Sequence, residues 1–240
     1  MKKIMFSTRY GLEEKVITGK KPMTRRIVKC PRRFKGVDDV ELEFHRRLGQ
    51  DFYYDCVVVD GDGHELGQLP LPYEVGDVVA VLQTYERAGW KPDTLQQAWV
   101  KKPTVFPDLD PITPHSGWVD LPLKYHKGWS NKMFVRPELM PWQIVITDLW
   151  FEHMQDISEE DCLKEGIEVE EWRGDYRWGF YTGFFIDARK GSQGCRSVWY
   201  DSPQRAFGGL IDRVSHGKVW DENPWVVVYA YDLQRAKGFE

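Results

Sequence analysis

Between Gly19 and Arg26 the chain reads Gly-Lys-Lys-Pro-Met-Thr-Arg-Arg, which gathers one hydroxyl and four cations within eight residues. Such a set suits an anion or a developing negative charge, because a charged donor makes hydrogen bonds roughly twice as strong as a neutral one. Extending to Lys35, eight of sixteen residues are basic (Lys20, Lys21, Arg25, Arg26, Lys29, Arg32, Arg33, Lys35) and none is acidic, although the whole chain carries a formal charge of −4. The positive charge is therefore local. A protein that coats nucleic acid with its whole surface is excluded, since that affinity comes from many phosphate contacts, whereas selective binding by one patch is allowed.

An extended Met23–Val28 places Thr24 and Arg26 on one face, and Lys21 needs a turn to join them. Arg25 and Arg26 are candidate phosphate or base contacts together with Lys20, Arg26 being favoured because it shares the Thr24 side. Either arginine could instead pair with one of the 37 acids. Glu165 falls in the last turn of a short helix, where a carboxylate opposes the macrodipole by ~0.3–1 kcal/mol. A cation such as Lys21 would offset that, while plain solvation is the ordinary alternative. Tyr85, Trp142 and Trp225 could stack on bases, worth ~1–3 kcal/mol each in single-strand binders. With 11 Trp, 11 Tyr and 12 Phe, core packing is the default, and Tyr85 stands out because its strand ends in polar residues.

The elements that must hold these residues are legible in outline. Gly11 to Ile17 has helical spacing, with Gly19 as its left-handed stop. Residues 51–69 read as a hairpin around Gly61-Asp62-Gly63. The apolar run Val78–Leu82 and the segment Gln143–Phe151 read as strands. Ser158 caps a helix that ends before Gly166, with Asp161 completing an approximate capping box. Ser202-Pro203 opens a helix with Phe207, Leu210, Ile211 and Val214 as its stripe, closed by Gly217. Trp225–Tyr231 reads as a terminal strand. Arg87–Ser130 reads as a long, ordered loop with a short helix near Thr94 to Trp99. Strands separated by single helices predict an α+β class, a small mixed β-barrel with flanking helices, as one domain over residues 1–240.

Four stretches resemble the ASCH family, a branch of the PUA-like β-barrels, in the longer form found in phages and prophages. Gly19–Arg26 is similar to its GxKxxTxR signature, and Tyr73–Val81 to its Y-x-x-G-D strand. Met140-Pro141 with Gln143–Ile146, followed by Ile157–Ile167, resembles its central strand and I-T-x-E-x-A-x-x-E-G helix. Trp220–Val227 resembles its W-x-x-N-P-W-V strand. The order agrees over about half of the chain, leaving insertions at about 30–72, 87–130 and 168–201. The resemblance implies a PUA-like barrel that binds RNA or a nucleoside or nucleotide. It also implies, as an alternative, amide hydrolysis of acetylated cytidine, with the lysine falling on Lys21, the threonine on Thr24 and the glutamate on Glu165. Relatives place a carboxylate where this chain has Gln83, within Leu82-Gln83-Thr84-Tyr85. An amide holds a base edge but takes no proton. A phage or prophage interaction module using the aromatic insertions is a third reading.

Hydrolysis through Thr24 requires a base and an oxyanion donor. Lys21 serves as base only if its pKa falls well below ~10.4; otherwise Glu165 is the base, or the acid for the leaving amine, and Lys21 clamps the oxyanion. Both assignments stay open. His45, His64, His115, His126, His153 and His216 show no metal or triad spacing, and no cofactor is expected. Cys30, Cys56, Cys162 and Cys195 lack CxxC spacing and read as buried reduced thiols. No run reaches the ~18 apolar residues of a membrane span, and no signal-peptide core follows Met1, so a cytoplasmic protein is expected.

Overall fold

The computed structural model describes residues 1–91, 127–187 and 192–239. The strands are β1 (Lys2–Ile4), β2 (Met23–Ile27), β3 (Arg33–Phe34), β4 (Val37–Asp38), β5 (Glu41–Arg46), β6 (Tyr53–Val59), β7 (Glu65–Gln68), β8 (Val78–Val81), β9 (Trp142–His153), β10 (Glu168–Trp172), β11 (Asp175–Asp187), β12 (Ser192–Tyr200) and β13 (Trp225–Arg235). With the few helices among them they make a mixed α+β protein with a multistranded sheet. The chain falls into two compact units, Met1–Met5 with Val79–Gln143 and Arg235–Glu240, and Phe6–Val78 with Ile144–Gln234. The short helix expected near Thr94 to Trp99 lies outside the described residues.

In the first unit β1 runs parallel to β8, Lys2 opposite Val79 and Ile4 opposite Val81. Val79, Ala80 and Val81 are wholly buried, as a continuous apolar run requires. Leu82, Tyr85, Val135 and Met140 complete this core, and Trp90 donates its indole N–H to the Leu139 carbonyl at 2.7 Å.

In the second unit β13 lies between β9 and β2. β13 and β2 are antiparallel, with Tyr229 opposite Thr24 and Val228 opposite Arg25. The hairpin around Gly61-Asp62-Gly63 forms as β6 and β7, with β5 as a further partner of β6. Tyr53 of β6 pairs with Phe151 of β9, so β5, β6 and β7 extend the sheet. The Glu159–Lys164 helix starts where Ser158 Oγ accepts from the Asp161 amide at 3.1 Å and stops at Gly166, whose φ of 103° favours glycine. The Pro203–Ser215 helix buries Phe207 and Leu210, while Val214 is exposed. His216, rather than Gly217, takes its left-handed stop at φ 57°.

Residues 168–201 form a separate antiparallel sheet, β10-β11-β12. Its first hairpin turns on Arg173 and Gly174, both at positive φ, the two-residue turn whose twist matches its strands. Among the described residues, no helix is long and apolar enough to cross a membrane.

Candidate functional site

β2 alternates, so its two faces carry different chemistry. Lys21, just before the strand, and Arg25 on its odd face converge on Glu165, the residue that ends the Glu159–Lys164 helix. Lys21 Nζ forms an ion pair with Glu165 Oε2 and also donates to the Glu165 carbonyl at 2.9 Å. The two residues lie 144 positions apart and are 2% and 4% exposed. Arg25 donates through Nε to Glu152 Oε1 at 2.7 Å, through Nη1 to Glu165 Oε1 at 3.2 Å and through Nη2 to Asp161 Oδ2 at 3.2 Å. Glu152 Oε2 accepts the Trp150 indole N–H at 2.9 Å, and Phe207 lies under the guanidinium at 6.0 Å. Two cations thus meet three carboxylates in a buried network whose members nearly saturate one another.

Burial pushes the Lys21 amine below its usual value, against the pull of Glu165 and helped by Arg26 and Arg25. Burial also works against the charge on Arg25, but Glu165 and Glu152 outweigh it and hold the guanidinium above its usual value. Cys162, beside this network, is pushed up to about 12 by burial and is an unreactive thiol.

The even face differs. Thr24 stands opposite Tyr229, and Arg26 is in the same row. Thr24 is 4% exposed and its hydroxyl makes no hydrogen bond among the described residues. Tyr229 is fully buried and its hydroxyl also lacks a partner; the Tyr73 amide is near it, outside hydrogen-bond geometry. Burial raises the Tyr229 phenol to about 12, with Arg26 opposing. Tyr231 donates its hydroxyl to the Lys21 carbonyl at 2.7 Å, and its pKa is raised well above normal by burial and by Glu165. Arg26 lies 5.6 Å over the Phe6 ring and acts electrostatically on Lys21, Tyr229 and Tyr231. It is the cation common to this row.

Of the residues proposed from sequence, the structure brings Lys21 and Glu165 together and leaves Thr24 without a hydrogen bond to either. Arg25 is not offered to a phosphate: its side chain is wholly buried among three carboxylates. Arg26 is partly exposed; Lys20 is exposed and lines a cleft of about 470 Å³ together with Lys15, Gly166 and Trp199. Tyr85 is no stacking platform, being 1% exposed in the first unit's core, where its hydroxyl accepts from the Arg136 amide at 3.0 Å. Gln83, in that same unit, is 2% exposed and its side-chain oxygen is unpaired. Trp225 stacks on Phe44 with ring centroids 3.9 Å apart, and Trp142 lies under Arg235. Cys30 is exposed, contrary to the expectation for all four thiols, while Cys56 and Cys162 are buried.

The sequence reading missed Glu152, Asp161, Tyr229 and Tyr231. Strand pairing brings Glu152, Tyr229 and Tyr231 here and the helix Glu159–Lys164 brings Asp161, and one clue was available: Tyr229 and Tyr231 alternate along a strand as Thr24 and Arg26 do. Contrary to the spacing argument, Asp60, Asp62 and His64 bring their ligand atoms within 4.8 Å of one another. Asp60 Oδ1 there accepts the amides of Asp62 at 3.0 Å and His64 at 2.9 Å, the bonding of a turn. Neither protein-family models, nor curated proteins, nor solved structures gave a match to this chain.

Proposed function

We propose that this is an ASCH-type, PUA-like barrel protein of the cytoplasm that binds RNA or a nucleoside or nucleotide beside Thr24 and Arg26. The observation that carries the reading is the Tyr229 hydroxyl, buried and without a partner among the described residues, on the β13 residue that stands opposite Thr24 of β2, whose own hydroxyl makes no hydrogen bond there either. Buried polar groups are almost always bonded, and exceptions mark places where something else supplies the bond. A nucleobase edge offers both donors and acceptors, and Arg26 and Lys20 offer cations for its phosphate. Lys21, Arg25 and Glu165 serve as the scaffold that fixes the start of β2. Titration of fluorescent nucleotides and short RNA at several salt concentrations tests this. The expected result is binding whose log K falls by ~0.7 per log unit of salt for each phosphate contacted, and whose slope drops by about that amount in Arg26→Ala. Binding absent at low salt, or indifferent to Arg26, rejects it.

One observation favours a second reading, hydrolysis of an acylated cytidine. Burial lowers the Lys21 amine, against the pull of Glu165, in the direction a general base needs. Incubation with acetylated cytidine and mass spectrometry would show deacetylation lost in Thr24→Ala; equal product from the variant ends this reading.

A further inference from the structure

The β10-β11-β12 sheet has one face covered and one open. Phe180, on the covered face, is fully buried, contacts Tyr10 edge-on and lies under Arg213 of the helix Pro203–Ser215, which packs on β11 and β12. On the other face, pairing of Glu170 with Arg177 and of Gly179 with Trp199 aligns Trp172, Arg177 and Trp199 in a row. The Arg177 guanidinium sits 4.3 Å from the Trp172 ring centroid and 4.7 Å from that of Trp199, and Glu170 Oε2 fixes it at 2.7 Å. Gly179 makes the row possible. A Cβ there would come within 2.2 Å of the Val198 carbonyl and 2.7 Å of the Trp199 ring, so the indole packs over the bare glycine. Trp172 is 50% exposed. Two clefts, about 550 and 470 Å³, share Trp199, and the second reaches Lys20 and Gly166.

We propose that this open face is a stacking platform for the bases of a single-stranded nucleic acid whose other end reaches Lys20. The inference rests on the function proposed above and extends it from one nucleotide to a strand. Three features choose this occupant. Alternating indole and guanidinium planes accept any base, since every base has a π-face and arginine adds a cation–π term. The charges lining the two clefts nearly cancel: Lys15 pairs with Glu168, Arg177 with Glu170 and Arg205 with Asp201, which leaves Lys20. A platform so neutralised favours bases over a duplex backbone. Continuity supplies the third, because the cleft that Trp199 lines also reaches Lys20, the residue before Lys21 in the chain.

The test compares uridine monophosphate with oligouridylate and oligodeoxyuridylate of about eight nucleotides, on the full chain and on Trp172→Ala and Trp172→Phe. Each octamer should bind at least ~10-fold tighter than the mononucleotide, in line with one or two stacked bases. Trp172→Ala should remove most of that gain while leaving mononucleotide affinity and the salt slope unchanged, and Trp172→Phe should restore part of it. Equal gain from the two octamers is expected, because a stacked plane does not report the 2′-hydroxyl; a gain confined to RNA overturns base stacking as its source. Octamers no tighter than the mononucleotide, or a gain untouched in Trp172→Ala, overturn the proposal and leave the function reading standing. Sedimentation that shows a dimer lost in Trp172→Ala assigns the face to a second copy of the chain and overturns it too. A chain that binds none of the three probes rejects the function reading, and this proposal with it.

Discussion

The two faces of β2 treat their polar groups in opposite ways. On the odd face, together with the preceding Lys21, every charge has a partner: Arg25 meets Glu152, Asp161 and Glu165, and Lys21 meets Glu165 twice. On the even face the buried Tyr229 hydroxyl has no partner among the described residues, and the hydroxyl of Thr24, a residue 4% exposed, makes no hydrogen bond there either. Both faces carry cations drawn from one basic stretch, so composition does not separate them. The bonding of their other polar groups does. A saturated buried network fixes geometry and has little left to offer a ligand, whereas unsatisfied buried donors hold binding capacity in reserve at a cost of roughly 1–3 kcal/mol each.

The sharpest way to break this contrast is to exchange adjacent arginines. Arg25→Met strips the cation from three buried carboxylates, and removal of one partner from such a network costs about 3–5 kcal/mol. Arg26→Met, one residue on and partly exposed, should cost within about 0.5 kcal/mol and act on ligand affinity instead. Urea denaturation of the two variants measures the difference. Equal losses would falsify the division of the strand into a structural and a binding face.

How much of this was legible in the sequence depends on which interactions decide each feature. Local chemistry was readable: Ser158 and Gly166 bound their helix, Ser202-Pro203 opens another, and the apolar Val78–Val81 and Trp225–Tyr231 runs are strands. The meeting of Lys21 with Glu165 was expected from the resemblance and from the macrodipole argument together. Arg25 was misjudged for a definite reason. A basic run looks like one surface, but strand alternation sends neighbouring arginines to opposite sides, and the carboxylates that claim Arg25 come from positions 136 to 140 residues away for two of them and 127 for the third. Nothing local announces such partners. The polar end of its strand points to Tyr85, and the resemblance to Gln83, yet both are buried, since Val135 and Met140, distant in sequence, pack there.

A smaller effect sharpens the comparison through pH. The Tyr229 phenol is raised from 10.0 to about 12 in the folded chain, chiefly by burial. Above pH 10 the unfolded chain loses this proton first and binds fewer protons than the folded one, so stability falls with rising pH until both forms have ionised. The wild type should therefore lose of order 2 kcal/mol relative to Tyr229→Phe between about pH 10 and 12. Lys21 contributes with opposite sign: its folded pKa is lowered, the unfolded chain keeps the extra proton in the window just below 10.5, and stability there rises with pH. The Tyr229→Phe comparison cancels that term because both proteins retain Lys21. Parallel stability curves for the two proteins would mean that the phenol is solvated in the folded chain.

The smallest expected change is at neutral pH, and it bears most directly on what the even face is for. Tyr229→Phe deletes one oxygen, preserves the ring that meets Tyr73 edge-on with centroids 5.4 Å apart, and removes a buried group with no partner. Thr24→Val likewise keeps a β-branched shape on the facing strand while it removes an unbonded hydroxyl. If these oxygens were part of the fold, each variant would lose about 1 kcal/mol, the usual worth of an internal hydrogen bond. Since neither oxygen is bonded, each variant should instead be as stable as the wild type or up to ~1 kcal/mol more stable, while nucleotide affinity falls by a factor of roughly 2–10. Thermal melts and binding titrations on the same samples read the two effects separately. Stability that rises while binding falls is the signature of a group whose partner is the ligand, because strain held at a binding site is relieved when that site is given up. A parallel loss of stability and binding would instead assign Thr24 and Tyr229 to the packed interior, and the two faces of β2 would then differ in solvation alone.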